Sequence, residues 1–494
     1  MADTSTIAIG IVQMVDNGDG GFKIPDNPRF QNICHTGPTL TPNRQTQQSE
    51  KICGTSTNSR GRSNPTQLGQ RPGGGWNFEL EFNQFAAQTA EGVMANTWRK
   101  RQNFRTNRGG VDNVTGVSTG VVAVTSGTAF AAEDLVRTLG FDNDANNGVF
   151  LATAGDAAGV TLPGLIDESS PPVSAAVHVA GKAIAKLSLT DTAASGGTPA
   201  TLEATGLTWS NYLGEGDWFK LGGVGWCRVQ SVSGITASLD IVPAGFAGGT
   251  FLDNYTGYIW FGDTIRDGRR KVPYAVEIRA IQDDGTIWYA YWEGLYFNTS
   301  QWSGQNTQNA QIFTGSFDFI GIEKPGNATV TRLTGAVTVP AIPSKSFQTG
   351  QNVDLLLEDG VRFNAADAVT SMQTTLSHQA EPKGGFEYDA GIGLRYGDFD
   401  PSGNIETYLD APERYNLLIE SDPLAITYAL RSEDAYGMLI DLPNAEYTGG
   451  QPNAQGRNSS ASLSLPFSGY IDESNGYTAQ LQLHYAVDAT VQTA

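Results

Sequence analysis

The side chains that could do chemistry are few and scattered. Cys34 and His35 are neighbours, and Cys53 follows at a spacing that fits no zinc pattern. The four histidines lie in unrelated segments, at His35, His178, His378 and His484. A lone histidine is typical of a surface or core position, and no P-loop, nucleophile elbow or His-Glu-x-x-His motif occurs. The sequence therefore predicts no catalytic residue, no cofactor and no metal, with free thiols favoured over a metal site at the cysteines.

Three acidic pairs have the composition of a glycosidase site: Asp283-Asp284, Asp167-Glu168 and Glu433-Asp434. Glycosidases need two carboxylates facing each other across a bond. Two of the three pairs lie in predicted hairpin turns, where aspartate is favoured for its turn geometry. Those two pairs are therefore interpreted as turn residues, and a glycosidase site is not favoured.

Three further clusters have both a functional and a structural interpretation. Gly73-Gly74-Gly75 leads into a strand, so it cannot hold phosphate at a helix N-terminus. The basic run Trp98–Arg105 has three readings: a single-stranded nucleic-acid contact, a solvated helix end, or a contact for an acidic neighbour, and the last two are favoured. The aromatic run Trp288–Tyr296 resembles a carbohydrate platform, but in a strand such residues more often pack against a helix or a neighbouring subunit.

Charge is strongly acidic and unevenly distributed. The 494 residues carry 51 acidic and 31 basic side chains, a net charge of -20, which excludes a general nucleic-acid binder. Residues 1–110 hold 12 basic and 8 acidic side chains, whereas residues 331–494 hold 8 and 21. A basic front and an acidic back favour head-to-tail contact between copies.

The elements that would position these residues are almost all strands. Residues 76–82 alternate apolar and polar side chains, and Asp284-Gly285 joins two apolar runs in a predicted hairpin over 274–296. A second hairpin is predicted over 424–442. Two helices are predicted, over 84–98 and 412–420.

The predicted elements occur twice in the same order. Strands, a helix, a hairpin, a polar loop and a last strand recur in both halves of the chain. This predicts a first domain over 1–110 and 263–330 and a second over 331–494. The interruption over 111–262 is predicted to hold inserted small β modules, two of them alike, at about 127–162 and 206–241. The first basic residue is Lys23 and no apolar run reaches membrane-spanning length, so a cytosolic chain without membrane insertion is expected.

Two stretches of the sequence carry a family resemblance. Residues 71–82 read Arg-Pro-Gly-Gly-Gly-Trp-Asn-Phe-Glu-Leu-Glu-Phe, and residues 291–298 lead through a polar loop to Phe-Thr-Gly-Ser-Phe-Asp-Phe-Ile-Gly at 313–321. Both stretches resemble tail tube proteins of long-tailed bacteriophages. Residues 353–467 resemble a second copy of the same domain.

The resemblance implies a mainly β protein with two tandem β-sandwich domains, each with a flanking helix. Such domains join edge to edge around a channel, six to a ring, so a two-domain chain would form trimeric rings that stack into a tube for genome passage. It implies a structural virion protein, not an enzyme, assembled in the host cytoplasm. Its partners would be further copies of itself and the tape measure, terminator and baseplate proteins. Double-stranded DNA would pass without sticking, because an acidic wall repels phosphate.

The resemblance also suggests roles for particular residues. The loop before the Trp76 strand is expected to reach the adjacent ring through its basic residues: Arg44, Lys51, Arg60, Arg62 and Arg71. Deleting residues 49–69 is expected to leave soluble monomers that cannot polymerise. Glu79 and Glu81, opposite the apolar face of the predicted strand, are expected to face the channel or a neighbouring subunit. Two alternatives stay open: another virion β protein (a terminator, baseplate hub or decoration protein), and a glycan-binding or glycan-cleaving β protein.

Overall fold

The computed structural model describes most of residues 7–493. The residues outside this description are 1–6, 20, 48–65, 86–87, 100–104, 107–112, 126–128, 185–188, 193–199, 205–206, 244–256, 307–308, 324, 364–367, 386–391, 409–415, 417–418, 420–422, 454–460 and 494. The described chain is mainly β, as predicted. Its helical segments are the α-helix α1 (Thr89–Val93) and short 3-10 turns at Phe82–Gln84, Asp144–Asn146 and Trp209–Asn211.

The strands are numbered in chain order. Those before the insert are β1 (Ile7–Gln13), β2 (Val15–Asp16), β3 (Phe22–Lys23), β4 (Arg29–Ile33), β5 (Gly37–Pro38), β6 (Arg44–Gln47), β7 (Thr66–Gln70), β8 (Gly73–Glu79) and β9 (Arg105–Thr106). Those of the interrupting segment are β10 (Val114–Ser118), β11 (Val121–Val124), β12 (Asp134–Leu139), β13 (Gly148–Leu151), β14 (Ala154–Gly155), β15 (Gly159–Thr161), β16 (Ala176–Ile184), β17 (Leu189–Thr192), β18 (Ala200–Ala204), β19 (Trp218–Leu221), β20 (Gly225–Ser233), β21 (Thr236–Ile241) and β22 (Gly257–Phe261). Those that follow are β23 (Asp263–Arg266), β24 (Tyr274–Ile281), β25 (Ile287–Gln305), β26 (Thr314–Gly321), β27 (Val337–Val339), β28 (Val353–Glu358), β29 (Val361–Arg362), β30 (Val369–Ser377), β31 (Glu381–Lys383), β32 (Gly393–Arg395), β33 (Asp400–Tyr408), β34 (Leu424–Arg431), β35 (Gly437–Tyr447), β36 (Gln451–Asn453), β37 (Ser462–Gly469), β38 (Gln480–His484) and β39 (Val491–Gln492).

Strand pairing repeats along the chain. In repeat 1 the order is β1–β24–β25–β26–β8, and in repeat 2 it is β28–β34–β35–β37–β33. All of these strands belong to one 18-stranded network. The segment between β8 and β23 forms a four-stranded sheet and most of an 11-stranded sheet, which β39 joins from the C-terminal end.

Aromatic side chains fill the core of repeat 1. The Trp76 ring lies 5.6 Å from Phe317 and 5.0 Å from Phe319, and both contacts join β8 to β26. Helix α1 covers this cluster through Gly92, where a Cβ atom would lie 2.4 Å from the Phe297 ring. Only glycine allows the helix to approach β25 so closely.

The structure corrects two predicted boundaries. The strand predicted over 76–82 runs from Gly73 to Glu79. The helix predicted over 84–98 is shorter, because a 3-10 turn precedes α1 and Ala95 adopts a left-handed φ of 48° just after it. The helix predicted over 412–420 lies almost wholly outside the described residues. In the part of the chain that the structure describes, no helix has the length and apolarity to cross a bilayer.

Candidate functional site

Eight strands follow one another across a single stretch of sheet. Their order is β5–β8–β26–β25–β30–β33–β37–β36, and every neighbouring pair is antiparallel. Four of these strands come from the repeat 1 side and four from the repeat 2 side. Along β30 and β37 burial alternates strictly, so one side of the sheet faces the core and the other does not.

The side that faces away from the core is called the polar face. Its residues, strand by strand, are Asn77 and Glu79; Thr314, Ser316, Asp318 and Ile320; Thr299, Gln301, Ser303 and Gln305; Ser371, Gln373, Thr375 and Ser377; Asp400, Ser402, Asn404, Glu406 and Tyr408; Ser462, Ser464, Pro466 and Ser468. These residues are mostly hydroxyl and amide side chains, with four carboxylates and no basic group. The polar face is therefore a hydrated, weakly acidic surface.

Neighbouring side chains on the polar face bond to one another. The Ser462 hydroxyl donates to Glu406 Oε1 over 2.8 Å, and Ser464 pairs with Asn404 Oδ1 at 2.9 Å. Partial burial raises the pKa of Asp318. Cross-strand pairs of this kind fix side-chain positions across a sheet.

The two repeats meet at an internal joint, defined as the pairing of Thr299–Gln305 with Ser371–Ser377. Strand β25 makes the joint possible by its length. Its first half pairs with β24, and its second half lies between β26 and β30. The joint therefore continues the sheet from one repeat into the other without a break.

A buried hydrogen-bond chain crosses the joint on its core side. Trp302 Nε1–H donates to the Tyr428 hydroxyl over 2.8 Å, and that hydroxyl donates to Thr374 Oγ1 over 2.9 Å. All three residues are buried, with Trp302 1% exposed. Burial also raises the pKa of Tyr428, which keeps its hydroxyl neutral and able to donate.

His378 lies directly after the joint and ties it to helix α1. Its Nε2 is 2.8 Å from the Val93 carbonyl oxygen, so this nitrogen carries the hydrogen. Its ring stacks on Tyr396 at 4.8 Å, and its backbone N–H donates to the Asn298 carbonyl. Burial lowers the pKa of His378 from 6.5 to about 4, so the ring is neutral in the folded protein at pH 7.

Acidification is expected to weaken the fold through His378. The unfolded chain takes up this proton below about pH 6.5, whereas the folded chain resists it down to about pH 4. The contribution is complete above pH 6.5 and is lost as the pH falls to 4, by up to about 3 kcal/mol. Urea unfolding at pH 7 and pH 4.5 should show a smaller loss for His378→Gln than for the wild type. Because His484 is also buried, only the difference between the two proteins reports on His378, and an equal loss in both would contradict this assignment.

The structure separates the two predicted acidic site residues. Glu79 is exposed on the polar face, where its Oε2 accepts a hydrogen bond from Ser346 at 2.8 Å. Glu81 is instead buried, at 7% exposure, because the strand ends at Glu79 and the chain turns inward. Its Oε2 accepts from Ser344 at 3.2 Å, and burial raises the pKa of its carboxyl group.

Only part of the predicted basic loop can be placed. Arg44 is exposed at the start of β6, and Arg71 follows β7, so both lie at the base of the β6–β7 hairpin. Lys51, Arg60 and Arg62 lie outside the described residues, as does Cys53. Across the described chain, no group of three histidine, cysteine, aspartate or glutamate side chains is arranged to hold a metal.

The other clusters have structural settings. Asp283-Asp284 lies in the β24–β25 turn and Glu433-Asp434 in the β34–β35 turn. Tyr291 and Trp292 are buried in the sheet rather than displayed as a platform. Within the basic run, Arg99 forms an ion pair with Asp217 of the inserted segment at 3.2 Å.

Sequence comparison gives one family match. The family described as "Phage tail tube protein" matches residues 4–469, which is almost the whole chain. Comparison with curated proteins gives no match.

Proposed function

Because the chain belongs to the phage tail tube protein family and is a structural component of the virion tail, we propose that three copies close into a ring and that the rings stack into a channel for the genome. Each ring would contain six repeats and have pseudo-sixfold symmetry. The polar face would line the channel.

The internal joint is the main observation that supports this proposal. One chain already contains two repeats joined edge to edge through continuous strand pairing. An exposed sheet edge needs a cover, and closure of the sheet on itself removes the edges. Repetition of the same joint between chains would extend the sheet by eight strands for each copy.

The proposed domain division is the one predicted from the sequence, and it places one strand repeat in each tube domain. Residues 1–110 and 263–330 would form the first tube domain, and residues 331–494 the second. The segment 111–262 would be an inserted module on the outside, since its strands form sheets separate from the 18-stranded network that contains the polar face.

The polar face supports passage of double-stranded DNA without adhesion. It carries Glu79, Asp318, Asp400 and Glu406 and no basic side chain. A negatively charged wall would repel phosphate, and hydroxyl groups would keep the wall hydrated. Glu79 fits a channel position, whereas the buried Glu81 would serve between elements rather than in the channel. We also propose assembly in the host cytoplasm without membrane insertion, and contacts with tape measure, terminator and baseplate proteins.

The β6–β7 hairpin is the proposed contact between rings. Its base residues Arg44–Gln47 are exposed, and the sequence between its two strands contains Lys51, Arg60 and Arg62. A basic hairpin would meet an acidic surface of the next ring, and the last 164 residues supply an excess of acid.

Electron microscopy of the purified protein tests both levels of assembly. Wild-type protein should form tubes whose end views show three- or sixfold symmetry. Replacing residues 48–65 with Asn-Gly keeps the Gln47–Thr66 register and should leave isolated three-chain rings, slightly lighter than the roughly 158 kDa of three wild-type chains of 52.6 kDa each.

The matched control is the same replacement in the β31–β32 hairpin, at residues 384–392, which contain no basic residue. This control should still form tubes. Wild-type protein that stays monomeric under all conditions would overturn the ring proposal. Normal tubes from the 48–65 variant would overturn only the role of the hairpin.

A further inference from the structure

The two repeats correspond residue by residue. In repeat 1 Tyr274 pairs with Leu295, and in repeat 2 Leu424 pairs with Ala445, 150 positions later on both strands. Each ladder has a register shift at the same point, just after Tyr274 or Leu424. Two ladders with a shared irregularity fix the correspondence without ambiguity, because a slip by one residue would reverse every side chain.

The correspondence extends into the joint strand. Gln301 pairs with Ser316 of β26, and Gln451 pairs with Ser464 of β37. Ser316 and Ser464 are equivalent, since each lies five residues before the glycine that ends its strand, Gly321 or Gly469. Gln451 is therefore the repeat 2 counterpart of Gln301.

The partner strand has a counterpart as well. Across the joint Gln301 pairs with Thr375, which pairs with Ser402 on its other side. In repeat 1 the residue equivalent to Ser402 is Gly73, and Gly73 pairs with Thr41. Thr41 is therefore the counterpart of Thr375.

These counterparts lie on two edges that the described chain leaves open. Among the described strands, β36 pairs with β37 alone and β5 pairs with β8 alone. Thr41, Asn43 and Asn453 are exposed. Counterparts of both strands of the internal joint therefore lie at opposite ends of the eight-stranded sheet.

We propose that Gly449–Asn453 of one copy pairs antiparallel with Thr39–Asn43 of the next copy, with Gln451 opposite Thr41. This inference rests on the proposed ring and specifies the strands and the register that close it. The same register places Asn453 opposite Thr39 and Gly449 opposite Asn43.

Backbone hydrogen bonding makes this second joint weaker than the internal one. Thr39 and Thr41 donate their N–H groups inward to Gly75 and Gly73, both over 2.8 Å. The alternate residues Pro38, Leu40 and Pro42 therefore direct their backbone groups outward. The two prolines have no N–H group, so of these three residues only Leu40 offers an outward N–H, while the carbonyl groups remain as acceptors. Prolines at these positions also hinder pairing with unrelated strands.

Disulfide cross-linking tests the register in the full chain. Thr41→Cys with Gln451→Cys, in a background with Cys34→Ser and Cys53→Ser, should give covalent closed trimers after oxidation of assembled protein. Thr39→Cys with Gly449→Cys is the mismatched control, because the register separates these positions by four residues, about 13 Å. The matched pair should give at least about tenfold more cross-linked product, since a disulfide needs Cα atoms within about 7 Å.

Two further samples make the result decisive. Gln301→Cys with Thr375→Cys copies the geometry inside one chain and should close in monomers. A mixture of the two single variants, Thr41→Cys and Gln451→Cys, should give covalent dimers but no larger product. Trimeric rings without the matched cross-link, alongside a closed internal control, would overturn the register while leaving the proposed function intact. Protein that forms no rings and no cross-links would overturn both.

Discussion

Replacing Trp302 with alanine is expected to lower the free energy of unfolding by about 3–5 kcal/mol, the range for a fully buried aromatic residue. The Trp302 ring packs edge-on against Phe85 at 5.3 Å, so the cavity would open beneath the internal joint. The change also leaves the Tyr428 hydroxyl without the hydrogen bond that it accepts from Trp302. Chemical denaturation monitored by circular dichroism measures the loss.

Trp302→Phe separates packing from hydrogen bonding. Phenylalanine keeps most of the apolar volume but cannot donate to Tyr428, which still donates to Thr374. The expected cost is about 1–2 kcal/mol. If the joint holds the repeats together, we expect the wild-type protein to unfold in a single transition and Trp302→Ala in two. Equal losses for both variants, or an unchanged single transition, would contradict the linking role of Trp302.

The sequence predicted the hairpins well and the joint poorly. The turn at Asp284-Gly285 and the strands around it were predictable because apolar runs flank a turn dipeptide. Strand β25, however, continues to Gln305, whereas the sequence predicts a polar loop after residue 296. Residues 298–305 look like a loop because one side of this strand belongs to the polar face. The one clear signal is Trp302, an isolated large apolar residue in a polar run.

The buried position of Glu81 has a similar cause. Alternation alone places Glu79 and Glu81 on the same side of a strand, and that inference holds only while the strand continues. The chain leaves the sheet after Glu79, and the 3-10 turn at Phe82–Gln84 carries Glu81 into contact with Ser344. Ser344 is 263 positions away, so no local pattern could reveal this partner.

A buried carboxylate occurs at the same cross-strand pair of both repeats, but on different strands. In repeat 1 Glu277 on β24 faces Tyr291 on β25, and the hydroxyl group donates to the carboxylate over 3.0 Å. At the equivalent pair of repeat 2 the hydroxyl group lies on the first strand and the carboxylate on the second. There Thr427 of β34 donates to Asp441 of β35 over 2.6 Å. Each carboxylate also contacts an arginine that lies outside the five strands of its repeat.

Those arginines attach different segments to the two repeats. Arg332, in the segment between the repeats, bonds to both oxygens of Glu277, at 2.7 and 2.9 Å. Arg228, in the inserted segment, lies 3.9 Å from Asp441. The same cross-strand pair therefore anchors the connecting segment in repeat 1 and the inserted segment in repeat 2.

Replacing Arg332 with methionine is expected to cost about 3–5 kcal/mol of unfolding free energy. Glu277 is only 3% exposed, and removal of one partner leaves a buried carboxylate without its counter-charge. The loss should also free the connecting segment, because Arg332 donates to Thr338 at 2.9 Å and β27 begins beside it. Limited proteolysis should then cut the chain between residues 325 and 345 sooner than in the wild type.

The double variant Arg332→Met with Glu277→Gln distinguishes charge from packing. Glutamine keeps an acceptor for the Tyr291 hydroxyl but removes the buried charge, so more than half of the lost stability should return. A double variant as unstable as Arg332→Met alone would show that Arg332 acts through packing against Tyr289 and its neighbours instead. Recovery of stability without recovery of protease resistance would separate the two roles of Arg332: neutralising Glu277 and holding the connecting segment on repeat 1.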